Sequence, residues 1–406
     1  MKYESFTLSN GIRLIHKFTP SVVAHCGLII NAGSRDEGKH EHGMAHFIDH
    51  VFFKGTKKRK AYHILSRLED VGGQINAYTA KEETCIYSSF INNYYNRSIE
   101  LISDIIFNST FPNKELNIEK EVILDEINSY KDIPGELIYD NFEELIFQNE
   151  TIGRNILGNP ENIKHFTKKD IELFIKNNYF TDEMVFCSVG KIKFSKLKKL
   201  FEKYFGAIPS SFRKNKRIKF ENYRPDQKIF HKNTFQAHCI IGNIAYDIKD
   251  NRRIGLALLN NILGGPGLNS RLNLSLREKK GYVYNVESTY SPYSDTGVLS
   301  IYFGTEKGNL EKSIHLVHKE FIRLKISKLG SLQLKKFKRQ LTGQLAISAE
   351  SNENLMLAMA KSYLIFNRID SLKKVSKKIE ALTAEQIMDI ANEVLDSDKL
   401  STLIYK

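Results

Sequence analysis

The feature that most constrains the fold is an order of elements that occurs twice. Ala24-His25-Cys26 returns 213 positions later as Ala237-His238-Cys239, and each copy leads into an apolar run. In the first half, Thr7-Leu8-Ser9-Asn10-Gly11-Ile12-Arg13-Leu14-Ile15 sets Asn-Gly between two alternating apolar runs, a hairpin signature. The pattern then predicts a strand at 22–30 and helices at 43–54 and 60–71, with Gly72-Gly73 as the stop. Strands at 74–80 and 84–91, helical periodicity through 95–178 and a strand at 184–189 complete the half. The second half predicts a helix at 250–263, a glycine loop and another helix. Strands at 283–291 and 297–303 follow, then helices to 396. A tripeptide match alone is weak, but the shared order makes a duplication the better reading. Each half is expected to be an α+β layer structure, an antiparallel sheet under helices. The halves are placed at 1–205 and 228–406, joined by a basic linker at 206–227 that Pro209, Ser210, Ser211 and Pro225 punctuate.

At 406 residues, 41% hydrophobic and 26% charged, the chain has room for two or three cores and is not a disordered or low-complexity polymer. No stretch approaches the ~18 uncharged apolar residues of a membrane span, and the N-terminus shows no signal-peptide core. Cys26, Cys85, Cys187 and Cys239 are scattered without a C-x-x-C pair. Neither structural disulfides nor a cysteine zinc site is expected, and the chain reads as cytoplasmic. The net charge of +13 raises nucleic acid as a partner, but the lysines are spread over the helices beside Glu and Asp. The one dense run covers 191–203 and continues through 213–219; its first part places Leu197, Leu200, Phe201 and Phe205 on one side of a helix. It is read as a solvated helix face and linker, so no nucleic-acid partner is expected.

The most informative segment is His42-Gly43-Met44-Ala45-His46-Phe47-Ile48-Asp49-His50, inside a predicted helix. His46 and His50 are four apart, so their imidazoles share a face about 6 Å apart along the axis. A helix offers two nitrogen ligands to one zinc ion in this way. Asp49 lies beside the same face, placed to take a proton from a zinc-bound water. Two histidines at this spacing also arise by chance on helix surfaces, and His40 and His42 make a merely histidine-rich patch the alternative. A catalytic zinc needs a third protein ligand. Glu119-Lys120-Glu121-Val122-Ile123-Leu124-Asp125-Glu126-Ile127 supplies candidates, with Glu119 and Glu126 two turns apart on one face. The alternative there is an exposed charged helix.

The segment from His42 to Thr56 (HGMAHFIDHVFFKGT) closely resembles the inverted-zinc-motif peptidases of the pitrilysin and mitochondrial processing peptidase type, family M16. The resemblance covers nearly the whole chain. Gly72-Gly73-Gln74-Ile75-Asn76-Ala77-Tyr78-Thr79, with Glu82 and Thr84, looks like the strand pair after the motif helices. Glu126, 76 residues after His50, falls where the family's acidic helix places it. Ile156-Leu157-Gly158 also fits. In the second half, Ser270-Arg271-Leu272, Arg277-Glu278-Lys279-Lys280-Gly281 and Tyr284 resemble the family's Arg–Tyr segment. The resemblance implies two homologous halves closing like a clam around a cleft. It implies one zinc ion per chain on His46, His50 and Glu126, with Glu119 supporting them.

The family has Glu where this chain has Asp49. Asp is one methylene shorter, which draws the carboxylate back by roughly 1–1.5 Å, and a misplacement of that size costs on the order of a hundredfold in rate. A slower enzyme, an enzyme with adjusted geometry and a metal-binding subunit with little activity all stay open. Because His46, His50, Glu126, Arg277 and Tyr284 are present, activity ranks first. The implied chemistry is peptide-bond hydrolysis by a zinc-activated water, with Asp49 as general base. Arg277 and Tyr284 are expected to hydrogen-bond the oxyanion or the substrate backbone. Asn76 and Ala77 are expected to pair with an extended peptide, a mode that suits peptides or unfolded segments. Leu263-Gly264-Gly265-Pro266-Gly267-Leu268-Asn269-Ser270 lacks the Gly-Lys-Ser/Thr ending of a phosphate loop and is read as a helix connection. A homodimer is the expected assembly, with a heterodimer of similar-length homologues as the alternative.

Overall fold

In the computed structural model, residues 2–214 and 216–406 are described; Met1 and Asn215, the latter inside the expected linker, lie outside them. Strands β1 (Glu4–Thr7), β2 (Arg13–Phe18), β3 (Val23–Ile30), β4 (Gln74–Thr79), β5 (Thr84–Ile91) and β6 (Met184–Gly190) make one sheet in the order β1-β2-β6-β3-β5-β4. Strands β7 (Gln227–Phe230), β8 (Gln236–Ala245), β9 (Val283–Pro292), β10 (Gly297–Glu306) and β11 (Ser401–Tyr405) make a second, in the order β7-β11-β8-β10-β9. With β1 set aside, the two sheets share one order and one set of directions. The expected duplication is visible in the register as well. Val23 and Gln236 open equivalent strands, as do Thr84 and Gly297, both at the offset of the tripeptide repeat.

Each sheet also holds one parallel pair, β2 with β6 and β7 with β11, where an all-antiparallel sheet was expected. A parallel pair needs a long crossover, and nearly a whole half of the chain intervenes in each case.

Helices cover both faces of each sheet. Along β6, Met184 and Phe186 join one core with Phe47 and Ile48, while Val185, Cys187 and Val189 join another with Leu355, Met356, Met359 and Ala360. This is the period-two alternation of a strand buried on both sides. In the second sheet, Leu299, Ile301 and Phe303 face Leu256 and Leu259, whereas Val298 and Tyr302 face Ile138 and Phe142.

The chain forms two compact units, and they are not contiguous halves. The first comprises Met1–Ile127, Ile156–Arg217 and Ile347–Ser371; the second comprises Asn128–Asn155, Ile218–Ala346 and Leu372–Lys406. The helix Asn352–Phe366, late in the chain, therefore covers the first sheet, and Pro134–Ile146, early in the chain, covers the second. The placement at 1–205 and 228–406 leaves this exchange out, because an amphipathic pattern shows that a helix has an apolar face but not which sheet it meets.

The basic run is not simply solvated. The Arg217 guanidinium donates to Oδ1 and Oδ2 of Asp36 at 2.9 and 2.7 Å, and Arg213 donates to Oδ1 at 2.6 Å. The side chains of Arg213, Arg217 and Asp36 are only 14%, 12% and 4% exposed. A buried carboxylate must be paired, and two planar guanidiniums satisfy it. No helix among the described residues is long and apolar enough to cross a membrane.

Candidate metal centre

The predicted motif helix spans Met44–Val51 and is buried almost all round. Its entry depends on two glycines. Gly43 (φ +98°) and Gly158 (φ +91°) sit back to back, and a Cβ on Gly158 would lie 2.4 Å from the Gly43 Cα. Only glycine permits both the backbone angles and this approach. The Glu37 carboxylate accepts from the N–H groups of Gly43 at 3.0 Å and Ala45 at 2.9 Å, satisfying helix-start donors with a negative charge.

From this helix His46 and His50 project together, their ring centroids 4.6 Å apart. The second helix predicted to matter, Asn113–Lys131, brings Glu126 to them. Glu126 Oε2 stands 3.8 Å from His46 Nε2 and 3.6 Å from His50 Nε2. One donor atom from each of the three residues falls within 4.8 Å of the others. Glu119 is on the same helix and buried; its Oε2 lies 3.3 Å from His50 Nδ1, and its Oε1 lies 2.6 Å from Lys54 Nζ. A carboxylate can only accept here, so His50 carries a hydrogen on Nδ1 and leaves Nε2 as the nitrogen that faces Glu126.

Charges at the site follow from burial and neighbours. Burial, and then His50, push His46 down to about 3, so its imidazole is neutral. Burial also works against protonation of His50, but the Glu119 hydrogen bond and the surrounding carboxylates outweigh it and hold His50 above its ordinary value. Burial disfavours the Glu119 anion, yet His50 and Lys54 bring its pKa below the usual range. Asp49 is pushed up to about 6 by burial, against the pull of Thr79 and His50. Thr79 Oγ1 donates to Asp49 Oδ2 at 2.5 Å.

Two neutral-capable imidazole nitrogens and one carboxylate oxygen are a fitting donor set for zinc. Ligands ~2.0–2.2 Å from a common tetrahedral ion stand about 3.4 Å apart, close to the 3.8 and 3.6 Å from Glu126 Oε2 to the two imidazole nitrogens. Among the described residues His46 Nδ1 is buried without a hydrogen-bond partner, so that ring's other nitrogen is the one facing the carboxylate. His40 is exposed and His42 half-buried; neither belongs to the cluster.

Asn76 and Ala77 lie on β4, the outermost strand of the first sheet, with Asn76 exposed and Ala77 half-buried. Arg277 and Tyr284 belong to the second unit. The Arg277 guanidinium carbon stands 5.6 Å from the Tyr284 ring centre, and Tyr284 is 82% exposed, so it is not a core residue. Arg277 also lines a cavity of about 450 Å³ with Asn260, Asn285, Glu287 and Gln344. In the sequence Thr79 stands out only as part of the strand pair and Lys54 only as part of the family-like segment His42 to Thr56, while Glu37 carries no signal. Their roles arise from contacts across the fold.

Two family models match the chain in succession. The one described as Insulinase (Peptidase family M16) matches residues 14–160, and the one described as Peptidase M16 inactive domain matches 165–341. The uncharacterized zinc protease YmxG of Bacillus subtilis is 32% identical over 400 residues, which cover 98% of this chain and 97% of that one. An uncharacterized zinc protease of Streptomyces coelicolor is 30% identical over 400 residues, covering 96% of this chain and 86% of its own. The crystal structure of a protease from Helicobacter pylori aligns with a TM-score of 0.91 at 22% identity, over 100% of this chain and 99% of its own, a likeness of fold. With both family models matched in order and one relative 32% identical along almost its entire length, this chain belongs to peptidase family M16, in its short two-domain type.

Proposed function

We propose that this chain is a zinc-dependent endopeptidase acting on peptides or unfolded segments, as a homodimer in the cytoplasm. The observation that carries the reading is the convergence of His46, His50 and Glu126 beside the Asp49 carboxyl. A zinc ion bound there would acidify a water and polarise the scissile carbonyl. His46 and His50 present Nε2, and Glu119 with Lys54 holds the His50 ring in that orientation. Asp49 takes up a proton during attack and passes it to the leaving amine. The free edge of β4 at Asn76 and Ala77 receives the substrate as an added strand, reading backbone rather than side chains. Arg277 and Tyr284 donate hydrogen bonds to the substrate.

The test is a fluorogenic peptide pool assayed with the zinc-loaded chain. Turnover is expected, abolished by a chelator, restored by zinc, and lost in Asp49→Asn with the metal retained. Full zinc occupancy without turnover on any peptide would favour the second reading, a metal-binding subunit with little activity. The shorter Asp49 side chain is what supports that reading.

A further inference from the structure

Thr79 ends the edge strand β4, and its hydroxyl meets two acceptors on the motif helix: Asp49 Oδ2 at 2.5 Å and the Ala45 carbonyl oxygen at 3.2 Å. A hydroxyl has one proton to give. The carboxylate is the closer and more basic acceptor, and charge-assisted bonds are the stronger ones, so the proton belongs to Asp49. Thr79 is β-branched, which restricts its χ1 and fixes the direction of the hydroxyl. Asp49 makes no other side-chain hydrogen bond among the described residues. One carboxylate oxygen is thus tied to β4, and Oδ1 is left as the oxygen that can accept a proton.

This bond bears on the departure from the family's Glu. A longer side chain adds a rotatable bond and carries its carboxylate further from the helix. The short Asp49, by contrast, is within reach of a hydroxyl on a rigid strand. We propose that Thr79 is the positioning residue that aims the Asp49 carboxylate, a role that goes with Asp rather than Glu at position 49 and rests on the endopeptidase reading above. Asn76 and Ala77, on the same strand, take the peptide in that reading. Base and substrate backbone are therefore referenced to one element, and the geometry lost with one methylene is recovered by anchoring the shorter side chain.

The test is a cycle of Thr79→Val and Thr79→Ser, each made in the wild-type chain and in Asp49→Glu, with Asp49→Asn as reference. In the wild type, Thr79→Val should lower kcat about tenfold or more with KM within about twofold, the signature of a misaimed group rather than lost binding. Thr79→Ser, which keeps the hydroxyl, should restore kcat to within about threefold. In Asp49→Glu, Thr79→Val should change kcat by less than about threefold, a non-additivity that a merely structural role would not produce. Zinc content, measured by atomic emission, should stay at one ion per chain in every variant, and thermal midpoints should match. Unchanged kcat in Thr79→Val overturns the proposal. So does the same loss in both backgrounds, or a loss of rate that follows a loss of zinc. Should Asp49→Glu prove inactive, the contrast between Thr79→Val and Thr79→Ser decides alone. A wild-type chain without turnover, or a fully active Asp49→Asn, defeats the endopeptidase reading and this proposal with it. An inactive Asp49→Asn beside a fully active Thr79→Val defeats only the role of Thr79.

Discussion

Nδ1 of His50 lies 3.3 Å from Oε2 of Glu119, and that contact decides which nitrogen of the ring faces Glu126. The other oxygen of the same carboxylate is held by Lys54, so the ring is oriented by a chain of charges that begins four residues after His50. Glu119→Ala is expected to weaken zinc binding by about 10–100-fold, read in competition with a chromophoric chelator. Lys54→Met should weaken it less, in the same direction. Unchanged affinity in both would show that His50 is oriented by the helix alone.

Alanine at His46, His50 or Glu126 should each lower zinc stoichiometry below one per chain, measured by atomic absorption after gel filtration. His40→Ala and His42→Ala should leave it unchanged, since both lie outside the cluster. Release of the metal by His42→Ala as readily as by His50→Ala would mean that the ligand set is misassigned.

For the base, Asp49→Asn should retain zinc while peptide turnover falls by about 10²–10⁴-fold, the usual contribution of a general base. Asp49→Glu is expected to keep or raise the rate. A large loss there would mean that the longer side chain cannot replace the Asp49 carboxylate held by Thr79.

A fourth prediction concerns Asp36. Burial works against its carboxylate, but the Arg217 hydrogen bond and the charges of Arg217 and Arg213 outweigh that and hold its pKa below 3.8. A carboxyl with a lower pKa in the folded chain stabilises above its unfolded value and loses that contribution as pH falls through the folded one. The stability gap between wild type and Asp36→Asn, from urea unfolding, should therefore narrow as pH drops below about 4. At neutral pH, Arg217→Ala should cost about 3–5 kcal/mol by leaving a buried carboxylate short of its main partner. A gap that stays constant into acid would rule out the pairing as its source.

The parts legible in the sequence are those written in short-range pattern. Strand β5 is expected and found at 84–91, where β-branched and aromatic residues (Thr84, Ile86, Tyr87, Phe90, Ile91) lie between polar flanks. His46, His50 and Glu126 stand out through helical spacing and the family resemblance, and the fold brings their donor atoms within 4.8 Å of one another. Thr79, Lys54 and Glu37 are ordinary residues by local criteria. Each matters only because another element, distant in sequence or around a turn, comes to rest against it. Arg213 and Arg217 looked like part of a solvated run because charge density says nothing of a single buried carboxylate waiting elsewhere. The parallel pairs and the destinations of Pro134–Ile146 and Asn352–Phe366 are likewise properties of the whole topology.

The exchanged helices change how this protein must respond to dilution. If the two halves were separate chains, each would complete its sheet only by capturing a helix from the other, and folding would be a second-order process that fails at low concentration. Carried on one chain, each helix reaches its sheet at an effective concentration set by chain length alone. Completion of both sheets then holds at any protein concentration, and the fusion of the halves has turned an association constant into a folding constant.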